Sequence, residues 1–112
     1  MTKKWKVIYS KQSRNDLFRI NDYIKYDLQS IQGAVNTVDK IERAVIDLDF
    51  MPFKYSLYPD EPWHSLGLRF VPVGHYTIYY HPVEEIKEVH IIRILYDGQD
   101  SSRHLPNSFK TN

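Results

Sequence analysis

The sequence predicts an α+β fold of element order β-α-α-β-β-β, in which a four-stranded antiparallel sheet carries a helical hairpin on one face. Three observations predict it. A short β-branched stretch near the start is followed by two segments with apolar residues at helical spacing, and then by three β-rich segments separated by turns. A chain of 112 residues can build one hydrophobic core but not two, so all these elements belong to one domain.

The first strand is predicted over residues 5–9, and a helix follows at about residues 11–28. Ser10 is placed to cap this helix, because a serine oxygen accepts hydrogen bonds from the free amides of a first turn. The apolar stripe of the helix recurs at spacings of three and four residues: Leu17, Ile20, Ile24 and Leu28. The charged residues largely fall outside that stripe: Arg14, Asp16, Arg19, Asp22 and Lys25.

A second helix begins after Ser30 and Gly33 interrupt the first pattern. Its apolar seam again alternates spacings of four and three: Ala34, Val38, Ile41, Val45 and Leu48. Pro52 lacks an amide hydrogen and disfavours helical geometry at Met51, so this helix should end near Phe50. Two such helices joined by a short link form an αα-hairpin.

The second half of the chain is predicted as an irregular connection followed by a meander. Residues 52–65 contain three prolines, and aromatic side chains should anchor this segment: Tyr55, Tyr58 and Trp63. The strands are predicted at Leu66–Val71, Tyr76–His81 and Glu88–Tyr96, with hairpin connections between them. The domain is therefore expected over residues 1–100, with a polar tail at 101–112 that is either mobile or ordered on a partner.

Strand alternation assigns side chains to the two faces of the sheet. In the last strand it separates Val89, Ile91, Arg93 and Leu95 from His90, Ile92, Ile94 and Tyr96; both sets are substantially apolar, so this strand should be central. The second set would join Thr77, Tyr79 and His81 in a polar and aromatic concavity, or else form a partly exposed sheet surface. Arg93, within an apolar strand, is either ion-paired or held for function.

Composition excludes several classes of function. Cysteine is absent, which removes disulfides, thiolate metal sites and a cysteine nucleophile, and the five scattered histidines predict no metal site; no cofactor is expected. The N-terminus resembles no signal peptide and no run is long enough to span a membrane, so we expect a cytoplasmic protein without a membrane partner.

Net charge also limits nucleic-acid binding. The formal charge is +1, from 15 basic and 14 acidic residues, so such a partner would need a local patch. The clearest basic concentration is near the N-terminus, where a solvated strand edge and helix start explain it about as well: Lys3, Lys4, Lys6, Lys11 and Arg14.

Several short motifs, in order, resemble the RelE/ParE toxins of type II toxin–antitoxin systems. They are Val7-Ile8-Tyr9-Ser10, Asp16-Leu17-x-x-Ile20-x-x-Tyr23-Ile24, Leu66-Gly67-x-Arg69, Val73-Gly74-x-Tyr76-x-Ile78-x-Tyr80 and Val89-x-Ile91-x-Arg93-Ile94-Leu95-Tyr96. The resemblance extends to about Asp100. It implies a four-stranded antiparallel sheet beside a helical hairpin, and a cognate antitoxin that wraps the toxin with a helix or strand.

Two toxic mechanisms occur under this resemblance: RelE-like members cleave mRNA in the ribosomal A site, and ParE-like members inhibit DNA gyrase. The nucleases usually carry an arginine in the third strand where this sequence has Thr77. The resemblance leaves Arg69, Arg93 and Tyr96 as candidate catalytic residues, with Lys54 as a weaker one. The Arg-Asp ending of the family is altered to Gln99-Asp100.

These departures favour a ParE-like growth inhibitor of DNA gyrase. The alternative is a RelE-like ribosome-dependent endoribonuclease, independent of metal, in which Arg69 or Lys54 supplies the missing cation. A third class is a non-toxic protein-interaction domain with the same fold.

Overall fold

The structure, a computed structural model, describes residues 4–109 and confirms the predicted class and element order. The long elements are β1 (Lys6–Tyr9), α1 (Lys11–Asp22), α2 (Ile31–Ile46), β2 (Arg69–Val73), β3 (Tyr76–Val83) and β4 (Glu88–Tyr96). Among the α-helices and strands, one was not predicted: α3 (Trp63–Leu66), a single turn within the connection that was predicted to be irregular. Lys3 of the basic N-terminal group and residues 110–112 of the tail lie outside the described residues.

The sheet has the order β1-β4-β3-β2 and is mixed. Strands β2, β3 and β4 form the predicted antiparallel meander, and β4 is internal as expected. Strand β1 runs parallel to β4, with Lys6 opposite Glu88, so the prediction of an entirely antiparallel sheet is corrected at this strand. A parallel neighbour needs a long crossover, which both helices and two strands provide here. Residue alternation carries no information on strand direction.

The helices begin where the sequence placed their caps. The hydroxyl oxygens of Ser10 and Ser30 accept hydrogen bonds from the amides of Ser13 and Gly33, at 3.0 and 2.9 Å. Helix α1 ends earlier than predicted, and a wider π-helical turn follows at Tyr23–Asp27. The apolar stripe therefore stops at Ile24, and Leu28, which was expected in the core, is 57% exposed.

Both faces of the sheet are covered. On one face the two helices bury the main core, which includes Ile20, Ile41 and Tyr80. On the other face residues 58–66 of the connection and residues 101–109, here called the strap, build a second cluster around Tyr58, Trp63 and Leu105. The tail thus packs on its own sheet as far as residue 109, while the division of the domain at residue 100 stays a prediction.

A β-bulge in β4 changes which side chains share a face. Tyr79 lies opposite Arg93 and Tyr80 opposite Ile91, so Ile92 has no residue opposite it. Beyond this point Ile94 lies with the helix-side core, and Leu95 lies in the second cluster with Ile92. The predicted alternation was therefore wrong from Arg93 onwards, because one extra residue reverses the faces of all that follow.

Candidate functional site

The part of the β4 edge that β1 does not reach is covered by the start of α1. Strand β1 covers β4 only as far as Ile91. Beyond it, the Ser10 hydroxyl donates to the Ile92 carbonyl at 3.0 Å and the Asp16 carboxylate accepts from the Ile94 amide at 2.9 Å. The side chains of Ser10, which caps α1, and of Asp16 within it thus satisfy main-chain groups that a longer β1 would have paired, because buried backbone groups require partners.

Arg93 is held by the same carboxylate. Its Nε and one terminal nitrogen donate to the two Asp16 oxygens at 2.8 and 2.9 Å, and its other terminal nitrogen donates to the His104 carbonyl at 2.9 Å. The side chains of Arg93 and Asp16 are only 13% and 6% exposed. The ion-paired interpretation of Arg93 is confirmed, and a direct role in toxicity stays a prediction.

The position of Asp16 differs from the predicted one. It was expected outside the apolar stripe of the first helix, yet it is buried against β4. Its position four residues before Ile20 puts it on the buried stripe of α1, and an arginine inside an apolar strand calls for a carboxylate partner. These two signals together could have identified the pair.

Arg93 and Tyr96 line one cavity of about 660 Å³ between the helices and the end of β4, here called the helix–sheet groove. The apolar residues Tyr23, Leu28 and Tyr96 form part of its lining and are 50%, 57% and 50% exposed. Three aromatic or aliphatic side chains half in solvent around one cavity are typical of a protein-binding surface.

Two phenol rings of the groove pack against each other. The ring of Tyr96 meets that of Tyr76 edge to face, with centroids 5.6 Å apart. Burial raises the pKa of Tyr76 above its ordinary value, and the nearby Tyr23 and Tyr96 add to the rise. Tyr76 therefore stays protonated at neutral pH.

Arg69 and Lys54 lie at a different place, where the connection after α2 passes β2. One terminal nitrogen of Arg69 donates to the carbonyls of Phe53 and Tyr55 at 3.2 and 2.6 Å, and its guanidinium stacks over the Phe53 ring. Lys54 pairs with Asp47 at 2.9 Å. Both cations thus fix the path of the connection.

The two arginines start from opposite faces of the sheet. Arg69 lies opposite Tyr80, whose ring is in the helix-side core, whereas Arg93 lies opposite Tyr79, whose ring is in the second cluster. Residues directly across a strand pair share a face. The structure therefore groups the candidates as Arg93 with Tyr96 and Arg69 with Lys54, and does not bring all four together.

Thr77 is buried, and its hydroxyl donates to the Asp97 carboxylate at 3.0 Å.

Further along the same strand, His81 lies opposite His90. Burial lowers the pKa of His81 below its ordinary value of 6.5. The Gly67 carbonyl raises this pKa in part, the nearby His90 lowers it further, and Glu85 raises it slightly. His90 bonds Glu88 at 2.8 Å through Nε2.

Within residues 4–109, acidic and histidine side chains form no cluster of three that could hold a metal ion. No helix in that range is long and apolar enough to cross a membrane.

Comparison with known families gives one match over most of the chain. The family model described as "ParE toxin of type II toxin-antitoxin system, parDE" matches residues 7–101. A search of curated proteins finds no significant match.

Several solved structures share the fold at low sequence identity. A chromosomal ParDE toxin–antitoxin system of P. aeruginosa superposes with a TM-score of 0.69 and 20% identity, over 85% of this chain and 98% of that chain. The RelBE2 toxin–antitoxin complex of Mycobacterium tuberculosis gives 0.59 and 19%, over 88% and 98%. A mutant of E. coli toxin RelE in the free state gives 0.64 and 7%, over 91% and 93%.

Proposed function

Because this chain belongs to the ParE toxin family of type II toxin–antitoxin systems, we propose that it arrests growth by binding DNA gyrase and that a cognate antitoxin neutralises it. Membership of this family establishes the class of toxin and leaves its target open. The choice of gyrase over the ribosome rests on the cations of this chain.

The observation that supports a non-nuclease is the engagement of Arg69 and Arg93. Cleavage of RNA needs cations aimed at one phosphate, where the negative charge of the transition state develops. Arg93 donates two hydrogen bonds to the Asp16 carboxylate and one to the His104 carbonyl. Arg69 donates to the carbonyls of Phe53 and Tyr55. Since the two arginines also start from opposite faces of the sheet, they are poorly arranged to serve one phosphate.

Thr77 adds to this argument. The cation that resembling nucleases carry in the third strand is replaced here by a hydroxyl, buried and bonded to Asp97. Loss of one such transition-state contact typically costs about a hundred- to a thousand-fold in rate. A gyrase inhibitor needs no charge at this position, because its action is binding.

The helix–sheet groove supports a partner of apolar character. Its exposed Tyr23 and Tyr96 are of the aromatic type that is enriched at protein interfaces, and Leu28 adds exposed apolar surface beside them. We assign this groove to the antitoxin, whose bound segment would then present an apolar face, while Arg19 on the groove lining offers a contact for an acidic residue.

Two assays on the purified toxin test the target. We expect inhibition of gyrase supercoiling and no codon-positioned mRNA cleavage when the toxin is added to translating ribosomes. Prompt cleavage in the A site with unaffected gyrase would reject the proposal. Thr77→Arg should not create cleavage, because the position is buried and bonded to Asp97. If Thr77→Arg does create it, the threonine alone is what disables a nuclease site.

A third measurement addresses the non-toxic interaction domain. Induced expression of the chain alone should arrest growth, and co-expression of its cognate antitoxin, which we expect to be a small protein encoded beside it, should relieve the arrest. Harmless expression of soluble, folded protein would leave only the interaction domain.

A further inference from the structure

A second cavity, of about 740 Å³, lies where β1 meets β4 on the face of the sheet that carries the strap, and is here called the strand-edge cavity. Its apolar lining includes Ile92 and Phe109, which belong to the second cluster, and the exposed Ile86. Pockets for small molecules typically measure about 300–1,000 Å³. Among the described residues, the strand-edge cavity and the helix–sheet groove share no lining residue. The strand-edge cavity is therefore a separate site with room for a small molecule.

One end of the strand-edge cavity is the start of α1, which is electropositive. Ser10 satisfies two amides of the first turn, since its hydroxyl accepts from Ser13 and its carbonyl accepts from Arg14. Lys11 and Gln12 line the cavity, and their amides have no partner within the helix. The first turn contains no acidic side chain, and the exposed Lys11 adds a full positive charge. This end of the cavity therefore favours an anionic group.

The other end of the strand-edge cavity carries hydrogen-bond acceptors. The side chain of His90 lines the cavity and is only 9% exposed, and its Nδ1 has no hydrogen-bond partner within the described residues. Its Nε2 bonds the carboxylate of Glu88. Because a carboxylate only accepts, Nε2 carries the proton, and Nδ1 of the neutral ring is an acceptor. A buried acceptor without a partner is destabilising, so this end favours a ligand that donates, and the Glu88 carboxylate favours a cationic donor.

The two ends of the cavity are close enough for one small ligand. The Ser10 hydroxyl donates to the Ile92 carbonyl at 3.0 Å, which places the start of α1 two residues along β4 from His90. Two residues of a strand span roughly 7 Å. A ligand whose two charged groups lie a few ångströms apart can therefore form a hydrogen bond at each end.

We propose that the strand-edge cavity binds a small apolar amino acid. Its carboxylate contacts the start of α1 at Lys11, its ammonium group donates to His90 beside Glu88, and its side chain packs on Ile92. A simple anion would leave the buried acceptor unpaired, and a simple amine would leave the amides of α1 without a partner. The site is separate from the helix–sheet groove, so the proposal does not depend on the antitoxin or on the target of the toxin.

Four related ligands test each part of the proposal on the purified full-length chain. L-leucine carries both charged groups and an apolar side chain. L-leucinamide lacks the carboxylate, isocaproate lacks the ammonium group, and glycine lacks the apolar side chain. In two-dimensional NMR titrations, L-leucine should bind about tenfold or more tightly than each of the other three, because a lost charged hydrogen bond or a lost apolar side chain typically costs that much. The amide shifts should be largest at Lys11, Gln12 and His90.

Two variants and a matched control locate the bound amino acid. Lys11→Gln removes an exposed cation, and Glu88→Gln removes a charge while keeping an oxygen that accepts from His90. Each should weaken the binding of L-leucine about two- to fivefold, which is the range of a partly exposed ion pair. Lys40→Gln makes the same change as Lys11→Gln on an exposed part of α2 that does not line the cavity, and should leave the affinity unchanged.

Four outcomes would overturn the proposal. One is that L-leucine does not bind, and another is that L-leucinamide, isocaproate or glycine binds as tightly as L-leucine does. The third is that the largest amide shifts lie in the helix–sheet groove. The fourth is that Lys40→Gln weakens binding as much as Lys11→Gln, since the effect would then be one of overall charge.

Discussion

The carboxylate of Asp16 bonds both the guanidinium of Arg93 and the amide of Ile94, and so joins the first helix to the last strand across 77 residues of sequence. The contact is also where the helix–sheet groove meets the strap, because Arg93 lines the groove and donates to the His104 carbonyl. One ion pair therefore links the fold, the candidate antitoxin surface and the strap-covered face.

Asp16→Asn should lower the free energy of unfolding by about 3 kcal/mol, because it leaves the charge of a buried arginine without its counterion. Urea unfolding followed by circular dichroism measures this. Asp39→Asn is the matched control, since its pair with Arg43 is exposed and should contribute less than about 1 kcal/mol. Equal effects of the two substitutions would mean that the buried pair is not a main stabilising contact.

Leu28→Asp should abolish or strongly weaken antitoxin binding without unfolding the toxin. The side chain is 57% exposed on the helix–sheet groove, so a charge there is tolerated in the free protein but opposes an apolar partner. Isothermal titration with the purified antitoxin gives the affinity. Phe18→Asp changes an equally exposed residue that does not line the groove, and should have little effect. If Phe18→Asp is the damaging change instead, the antitoxin binds the outer surface of the helices.

Tyr96→Phe should keep full toxicity, whereas Tyr96→Ala should lose most of it. The phenylalanine retains the edge-to-face contact with Tyr76 and removes only the hydroxyl. Growth after induction, corrected for toxin level, distinguishes the two. Loss of toxicity in Tyr96→Phe would favour a role for the hydroxyl in proton transfer and with it the nuclease alternative.

Substitution of the scattered histidines should matter less for toxicity than substitution of Arg69, Arg93 or Tyr96.

The protein should lose stability as the pH falls below about 6.5, before most carboxylates titrate. Burial holds the pKa of His81 below its ordinary value, so the folded state favours the neutral ring. Its contribution is complete above the unfolded pKa of 6.5 and is lost as the pH falls towards the lower, folded value. Urea unfolding at pH 7.5 and 5.5 should show a smaller difference for His81→Gln than for the unaltered chain. In contrast, His75→Gln changes an exposed ring and should leave the pH dependence as it is.

The sequence by itself determined the elements and their order. The stripe through Ile20 and Ile24, the seam through Ile41 and Val45, and the capping serines are local patterns, and local patterns survive in the fold because each element must bury its own apolar face. The ordered motifs also carried the family, through a match that covers residues 7–101.

Only the tertiary structure decided how those elements meet. The parallel direction of β1, the bulge at Ile92 that reverses the faces of Ile94 and Tyr96, and the burial of Asp16 against Arg93 all depend on contacts between distant parts of the chain. The strap was likewise a polar tail in the sequence, and it is held to the sheet by Leu105 and Phe109, by the hydroxyl of Ser101 and by two main-chain carbonyls. Register and partner choice are set by packing across the whole domain, and residue periodicity does not encode them.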